Sequence, residues 1–498
     1  MNQISRRKFV RDGAAATLGV GWTTGLFACS PTDSALEVLN RKLRGTLLLP
    51  KDPRYNAAAT TANGRYHAIR PLAVAQCEDE ADVVTCVNWC TEFGVQPVAR
   101  GGGHSYAGFS ATTGLMVDIR RLNAIAIDAK NGTAVTGGAA LNRDMFDKSV
   151  NGPFILPAGT CLGVGLGGLV LGGGIGYNTP WAGLTSDHLK ASRIVTAKGD
   201  LLDLDASTNE DLFWACRGGA GGSFGINTSF TFDLVKVPVE SVAYYRFEWR
   251  GADAAAVVLA AFDQLLPKAP AAFNAVAMAQ AGEIGKGGPR EAIDVMSRGH
   301  YLGPVDDLRD LVAPLLAAAN PTKRTVEEVP FWDMQKAWTS EETESHSFGD
   351  ISRYAAEPLP EKATNALIEL LAECPSRSEK ANGSIWSLGW VGGEVVDRFG
   401  PAETAYVHRN MSTLWRPTTV WPNDAPKSVG DELQEWTDEM IAVIAPFTPG
   451  NSYQNFPNRS LVNWQEAYYG ENLARLIEVK RQHDKGNVFR NPQSIPVG

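Results

Sequence analysis

Two glycine-rich segments carry the side chains best placed for chemistry. Gly101-Gly102-Gly103-His104-Ser105 follows an apolar run, residues 95–99, that reads as a strand. Glycines at the end of a strand let successive backbone N–H groups converge on an anion such as a pyrophosphate. An imidazole at that point either bonds to the ligand or is a turn residue with no task. The second segment reads Pro157-Ala158-Gly159-Thr160-Cys161-Leu162-Gly163-Val164-Gly165-Leu166-Gly167-Gly168 and resumes at Gly172-Gly173-Gly174-Ile175-Gly176-Tyr177. It contains G-x-G-x-G-G, yet so many glycines oppose a continuous helix. No acidic residue follows about 20 positions on in a βαβ unit, so a Rossmann dinucleotide fold is excluded. The spacing instead lets main chain lie flat against a large planar ligand, with one thiol, Cys161, in its middle. A buried, inert thiol is the alternative.

The elements that must position these segments begin near Pro71. A short apolar strand, a helix over residues 80–93 opened by Asp79-Glu80, and the strand at 95–99 form a βαβ-like unit feeding the first glycine turn. Short strands are expected at 115–119, 124–127 and 133–136, and a hairpin over 193–205 about Lys198-Gly199-Asp200. Beyond Val235, strands such as 241–249 alternate with Ala/Leu-rich helices at 252–265, 305–318 and 360–372, the pattern of an antiparallel sheet backed by helices. Eight of the 13 tryptophans, among them Trp386, Trp390 and Trp415, lie from Trp332 onward, where indoles either pack a core or stack on a substrate.

At 498 residues the chain is long enough for two or three domains. Its 44% hydrophobic and 20% charged residues exclude a mainly disordered or coiled-coil protein. The net charge of -9 would repel phosphate backbones, so no nucleic-acid partner is expected. Cys77, Cys86, Cys90, Cys161, Cys216 and Cys374 show neither a disulfide framework nor a paired Cys-x-x-Cys zinc spacing, and no metal is expected. Residues 1–29 read as a signal peptide: Ser5-Arg6-Arg7-Lys8-Phe9 resembles a twin-arginine export signal, a route that carries proteins already folded around a cofactor. Leu26-Phe27-Ala28-Cys29 resembles a lipoprotein cleavage box, so a periplasmic or cell-surface protein is expected, anchored by lipid at Cys29 or cleaved without it.

Further blocks occur in a fixed order: Gly183-Leu184-Thr185-Ser186-Asp187, then Asp211-Leu212-Phe213-Trp214-Ala215-Cys216-Arg217-Gly218-Gly219-Ala220-Gly221-Gly222-Ser223-Phe224-Gly225-Ile226. Later come Ala405-Tyr406-Val407-His408-Arg409, Tyr453-Gln454-Asn455, Tyr468-Tyr469-Gly470-Glu471-Asn472 and Gln493-Ser494-Ile495. With the two glycine segments, these resemble the berberine bridge enzyme-like flavin oxidases of the vanillyl-alcohol-oxidase superfamily, over about residues 55–494. The resemblance implies an α+β protein with a two-part PCMH-type FAD-binding domain, residues 40–235 completed by 440–498, around a substrate domain at 236–439.

It also implies that FAD is held by two covalent bonds, His104 to the 8α-methyl and Cys161 to C6. Contacts to FAD are expected from Arg100, Gly101, Gly102, Gly103, Ser105, Gly108 and Ser110, and from Gly159, Val164, Gly165, Gly167 and Gly168. Gly173, Gly174, Gly176, Tyr177, Asp187, Gly225, Ile226 and Asn455 join them. Val164 matches a position where valine accompanies oxidases and leucine dehydrogenases, which implies O2 as acceptor and hydrogen peroxide as product. Tyr453 is the implied base for a substrate hydroxyl; a phenol with a pKa near 10 needs a neighbouring cation or hydrogen bond, for which His408 and Arg409 are the candidates. Many relatives carry a second tyrosine after the Asn, where this chain has Phe456. A small-molecule alcohol is the expected substrate, a carbohydrate ahead of an aromatic alcohol. A flavin dehydrogenase with another acceptor, an oxidase tailoring an alkaloid or polyketide, and a binding lipoprotein without activity are the alternatives.

Overall fold

Asp79 starts the first crossover helix, Glu80–Phe93, by accepting a hydrogen bond from the Asp82 N–H at 3.2 Å, and Gly94 ends it at φ 65°. The turn closes with the Val95 N–H on the Cys90 carbonyl, so the next strand starts at Pro97, two residues later than expected. In this computed structural model residues 33–498 are described, except 220, 286 and 341–344. The export signal and the Cys29 anchor expected in residues 1–29 lie outside the described residues.

Strands Thr46–Leu48, Ala73–Gln76, Leu115–Asp118 and Pro97–Arg100 form, in that spatial order, a four-stranded sheet whose last three strands are parallel. Residues 73–75 and 115–117 of the two central strands are buried and apolar, as a sheet covered on both faces requires. Beside it an antiparallel five-stranded sheet runs Ile125–Asp128, Thr133–Gly137, Gly225–Asp233, Leu189–Thr196, Leu201–Asp205. Its last two strands are the expected hairpin. The third layer is an antiparallel eight-stranded sheet. Its inner face packs on helices Ala252–Leu265, Val305–Ala318, Glu361–Ala372 and Lys427–Ile444 through one continuous apolar core.

That last helix runs through the expected domain boundary at residue 439. Met440, Ile441 and Ile444 are buried in the core of the large sheet, so the helix cannot be divided there. The chain then returns: Tyr468, Tyr469, Leu476 and Ile495 pack into the core of the five-stranded sheet, and Phe489 into that of the parallel sheet. Lys480, fully buried, ties this return down by donating to Asp484, to the Ser223 carbonyl and to the Phe489 carbonyl at 2.5–2.7 Å.

Candidate active site

Strand Pro97–Arg100 delivers the first glycine turn to the seam between the layers. Arg100 does not face the cleft there. Its guanidinium is buried and donates to the carbonyls of Gly101 and Thr60 at 2.9 and 2.8 Å, and burial lowers its pKa to about 10. Gly103 sits at φ 70°, and a Cβ on it would lie 1.7 Å from Arg100 Nη1, so only glycine lets the arginine brace the turn from behind. His104 then points into the seam.

The second segment meets the first backbone to backbone. A Cβ on Gly102 would come within 2.4 Å of the Gly165 nitrogen and 3.0 Å of the Gly163 carbonyl oxygen. Glycine at both contacts allows residues some 60 positions apart in sequence to press together. Cys161 sits in the loop just before this contact. Asn142 donates to its carbonyl at 2.9 Å, and Ser340, just after the helix Phe331–Trp338, donates to its sulfur at 3.4 Å. Of the six described cysteines it alone is not buried. Burial pushes the Cys90 and Cys374 thiols up, and Cys216 up to about 12, which suits inert packing groups.

Both segments line one cleft with about 1840 Å³ of atom-free space, its open mouth included. Its lining includes Gly101, Gly102, Gly103, His104, Ser105 and Ser110 from the first segment, Gly159, Cys161, Val164, Gly165, Gly167 and Gly168 from the second, here termed its floor, and Gly225 and Ile226. A Cβ on Gly168 or Gly222 would have no atom within 4 Å, so the open space lies directly on bare main chain. A glycine cradle, an imidazole and an accessible thiol along one cleft fit FAD.

Tyr453 and Asn455 also line the cleft, but their hydroxyl and amide are engaged within the protein. The Tyr453 oxygen accepts the N–H groups of Gly174 and Ile175 at 2.9 and 3.2 Å and the Asn455 amide at 3.1 Å, while the same amide donates to the Leu169 carbonyl. Burial pushes Tyr453 up to about 12 against those hydrogen bonds. Those three donors fill the lone-pair positions of the oxygen from which a substrate hydroxyl would have to approach, so the geometry makes it a brace of the second glycine turn.

The remaining expected site residues lie behind the cleft wall. His408 is fully buried between Gln454 and Asn451, stacked 4.5 Å from Tyr354, and lowered to about 3 by burial, hence neutral. Arg409 is paired with Asp187 at 2.8 and 3.1 Å, both side chains wholly buried, so neither reaches a ligand. Gly108 makes room for the Tyr66 ring, Gly173 for the Tyr406 ring, and Gly176 for the Ala158 carbonyl. Gly174 spends its N–H on Tyr453, and Tyr177 is buried with its hydroxyl on the Gln335 carbonyl. These glycines serve packing because composition registers close approach without saying whether protein or ligand approaches.

Three residues that the sequence reading passed over converge on the cleft. Tyr106, two positions after His104, is stacked on Phe456 at 5.2 Å and meets Phe348 edge-on at 4.9 Å. Arg416 lies 4.4 Å above the Phe456 ring and donates to the Tyr106 hydroxyl at 3.3 Å. Asp350, fully buried, accepts from Arg416 Nε and Nη2, both at 2.6 Å, and from Thr418 at 3.1 Å. Burial opposes the Arg416 charge, but Asp350 and the facing Tyr106 and Cys161 outweigh it and raise its pKa. The register explains the pair: Asp350 is opposite Thr418, and Arg416 is the next residue on that face of its strand. No local pattern announces it. Only Tyr106 had a signal, its place beside His104.

Residues 71–205 match the FAD binding domain family model, and residues 452–496 match the model described as berberine and berberine like. An uncharacterised FAD-linked oxidoreductase of Bacillus subtilis is 32% identical over 91% of this chain and 97% of its own length. The chitooligosaccharide oxidase of Gibberella zeae is 30% identical, over 85% of this chain and 87% of that one. Among solved structures, the BBE-like 1 protein of Physcomitrella patens superposes with a TM-score of 0.81 at 27% identity, over 93% of this chain and 99% of that one.

Proposed function

The chain belongs to the berberine bridge enzyme-like family of FAD-linked oxidoreductases, and from that premise we propose that it is an exported alcohol oxidase carrying a doubly attached flavin. The observation that carries the reading is that His104 and Cys161 line one cleft, on two segments pressed together at Gly102 and Gly165. Each would form one bond to the flavin. FAD supplies the acceptor for the hydride taken from the substrate carbon. The chain's own groups do the rest: the glycine floor admits the ring system, Asn142 and Ser340 fix the Cys161 loop, and Tyr453 with Asn455 holds the turn beneath it. Val164 on the floor supports O2 as the acceptor that turns the enzyme over, with hydrogen peroxide released.

The substrate class is a carbohydrate. The chitooligosaccharide oxidase relative supports it, and so do Trp390 and Tyr106, two aromatic side chains on the cleft wall of the kind that stack on sugars. The twin-arginine-like Ser5-Arg6-Arg7-Lys8-Phe9 supports export of the loaded protein.

Denaturing the purified protein in acid and mapping flavin-bearing peptides tests the reading. Flavin on both the His104 and the Cys161 peptides is expected. Flavin wholly in the supernatant would overturn the double attachment. Peroxide released on oligosaccharides and not on benzylic alcohols is the expected substrate result, and substrate-driven bleaching without peroxide would mark a dehydrogenase.

A further inference from the structure

The titratable groups on the cleft wall include His104, Tyr106, Cys161, Arg416, Tyr453, Tyr468, Tyr469 and Arg490. In the oxidase reading His104 and Cys161 are bonded to the cofactor. Tyr453 already receives three N–H donors, Tyr468 and Tyr469 are buried in the core, and arginines do not accept protons. Phe456, where relatives carry a second tyrosine, has no proton to exchange. One phenol remains, and it has the cation that a phenolate base requires.

We propose that Tyr106 is the catalytic base of this enzyme, accepting the substrate hydroxyl proton as a phenolate stabilised by Arg416. The inference rests on the alcohol oxidase reading. Arg416 Nη2 stands 3.3 Å from the Tyr106 oxygen, and its guanidinium lies 5.5 Å from the centre of the Tyr106 ring. The bidentate Asp350 contact and the Phe456 ring beneath fix the guanidinium, so the cation is in place before substrate arrives. Among the described residues, the charged or titratable groups facing the phenol include Arg416 and Asp350 from the large sheet and His104 on its own turn, with Cys161 on the glycine loop acting on Arg416. A cation in hydrogen-bond contact favours the charged form of a phenol and lowers its pKa.

In the step, the substrate C–H bond breaks and its electron pair leaves as hydride to the flavin. The O–H bond breaks, its pair forms the new C=O, and the proton makes the O–H bond of Tyr106. Substrate loses two electrons and flavin gains two.

The test uses the full, flavin-loaded protein in wild-type, Tyr106→Phe and Arg416→Gln/Asp350→Asn forms. The double variant removes the cation without leaving a buried lone charge. Tyrosinate absorbance against pH should show in the wild type one phenol ionising at least about one unit below the free value near 10. Tyr106→Phe should lack it, and the double variant should shift it upward. Anaerobic flavin bleaching by alcohol should slow roughly 10²–10⁴-fold in Tyr106→Phe, with substrate affinity unchanged. Bleaching at the wild-type rate in Tyr106→Phe, or an early phenol that survives in that variant, overturns the proposal. A wild type that loads flavin but is bleached by no alcohol overturns the oxidase reading and the proton step with it, and the titration then still reports whether Arg416 governs Tyr106.

Discussion

Gly168→Ala and Gly102→Ala separate a glycine kept for the cofactor from one kept for packing. Gly168 lies in the short helix Leu166–Leu171 and on the cleft floor, and its Cβ would touch nothing within 4 Å. In the flavin-free chain, alanine should therefore stabilise by about 0.5–1 kcal/mol, the ordinary helix gain over glycine. In the loaded protein the same methyl group would occupy space that the cofactor needs. Overpacking of one methyl group costs about 1–3 kcal/mol, which weakens the noncovalent flavin docking that must precede attachment roughly 5- to 150-fold and so lowers the loaded fraction. Gly102→Ala should behave in the opposite sense. Its Cβ, 2.4 Å from the Gly165 nitrogen, forces the Cys161 loop away and destabilises the chain with or without flavin. The assay is flavin absorbance per protein at equal riboflavin supply, with urea unfolding of the flavin-free fraction. A fully loaded Gly168→Ala protein would refute the assignment of that space to the cofactor, and native stability in Gly102→Ala would refute the backbone contact.

Burial raises Asp263 from 3.8 to about 6, against hydrogen bonds from the Leu359 N–H and the Thr413 hydroxyl. The folded state then binds the proton more tightly, so this group's contribution is fully present below pH 3.8 and lost as pH rises through about 6. The loss is on the order of 3 kcal/mol. Asp263→Asn should remove that slope in urea unfolding measured between the two values, and an unchanged slope would count against it. Asp187→Ala strands the buried Arg409 cation and should cost about 3–5 kcal/mol, most of it recovered in the Asp187→Leu/Arg409→Met double variant; a Tm near wild type in the single variant would contradict the pairing. Tyr453→Phe leaves the Gly174 and Ile175 N–H groups without an acceptor and should lower unfolding free energy by about 1–3 kcal/mol, readable as a shifted urea midpoint.

The parts of the site legible in the sequence were those made by local geometry. A strand that ends in three glycines and a histidine, and a thiol between glycines, state their business within a dozen residues. So do the Asp79 cap, the Gly94 stop and the alternating pattern of the large sheet, because each depends on the 3.6- or 2-residue periods and on backbone preferences. What glycine cannot declare is which neighbour comes close. Gly168 faces open space, whereas Gly173 and Gly176 face a tyrosine ring and a carbonyl, and the three look alike in the sequence.

The tertiary structure alone decided how charge is disposed around the cleft. Arg409, adjacent in sequence to a promising histidine, is consumed by Asp187, 222 positions away. Arg416 and Asp350 carry no motif, and strand register sets them on one face beside Tyr106, 310 positions distant from the arginine. The physical reason is that an ion pair's strength and a phenol's proton affinity depend on distance and burial, which chain folding sets and local spacing does not encode. The sequence by itself put an imidazole and a thiol in two glycine segments, and its family resemblance implied that they meet at one flavin. Only the fold determined which phenol in the cleft has a cation at its oxygen.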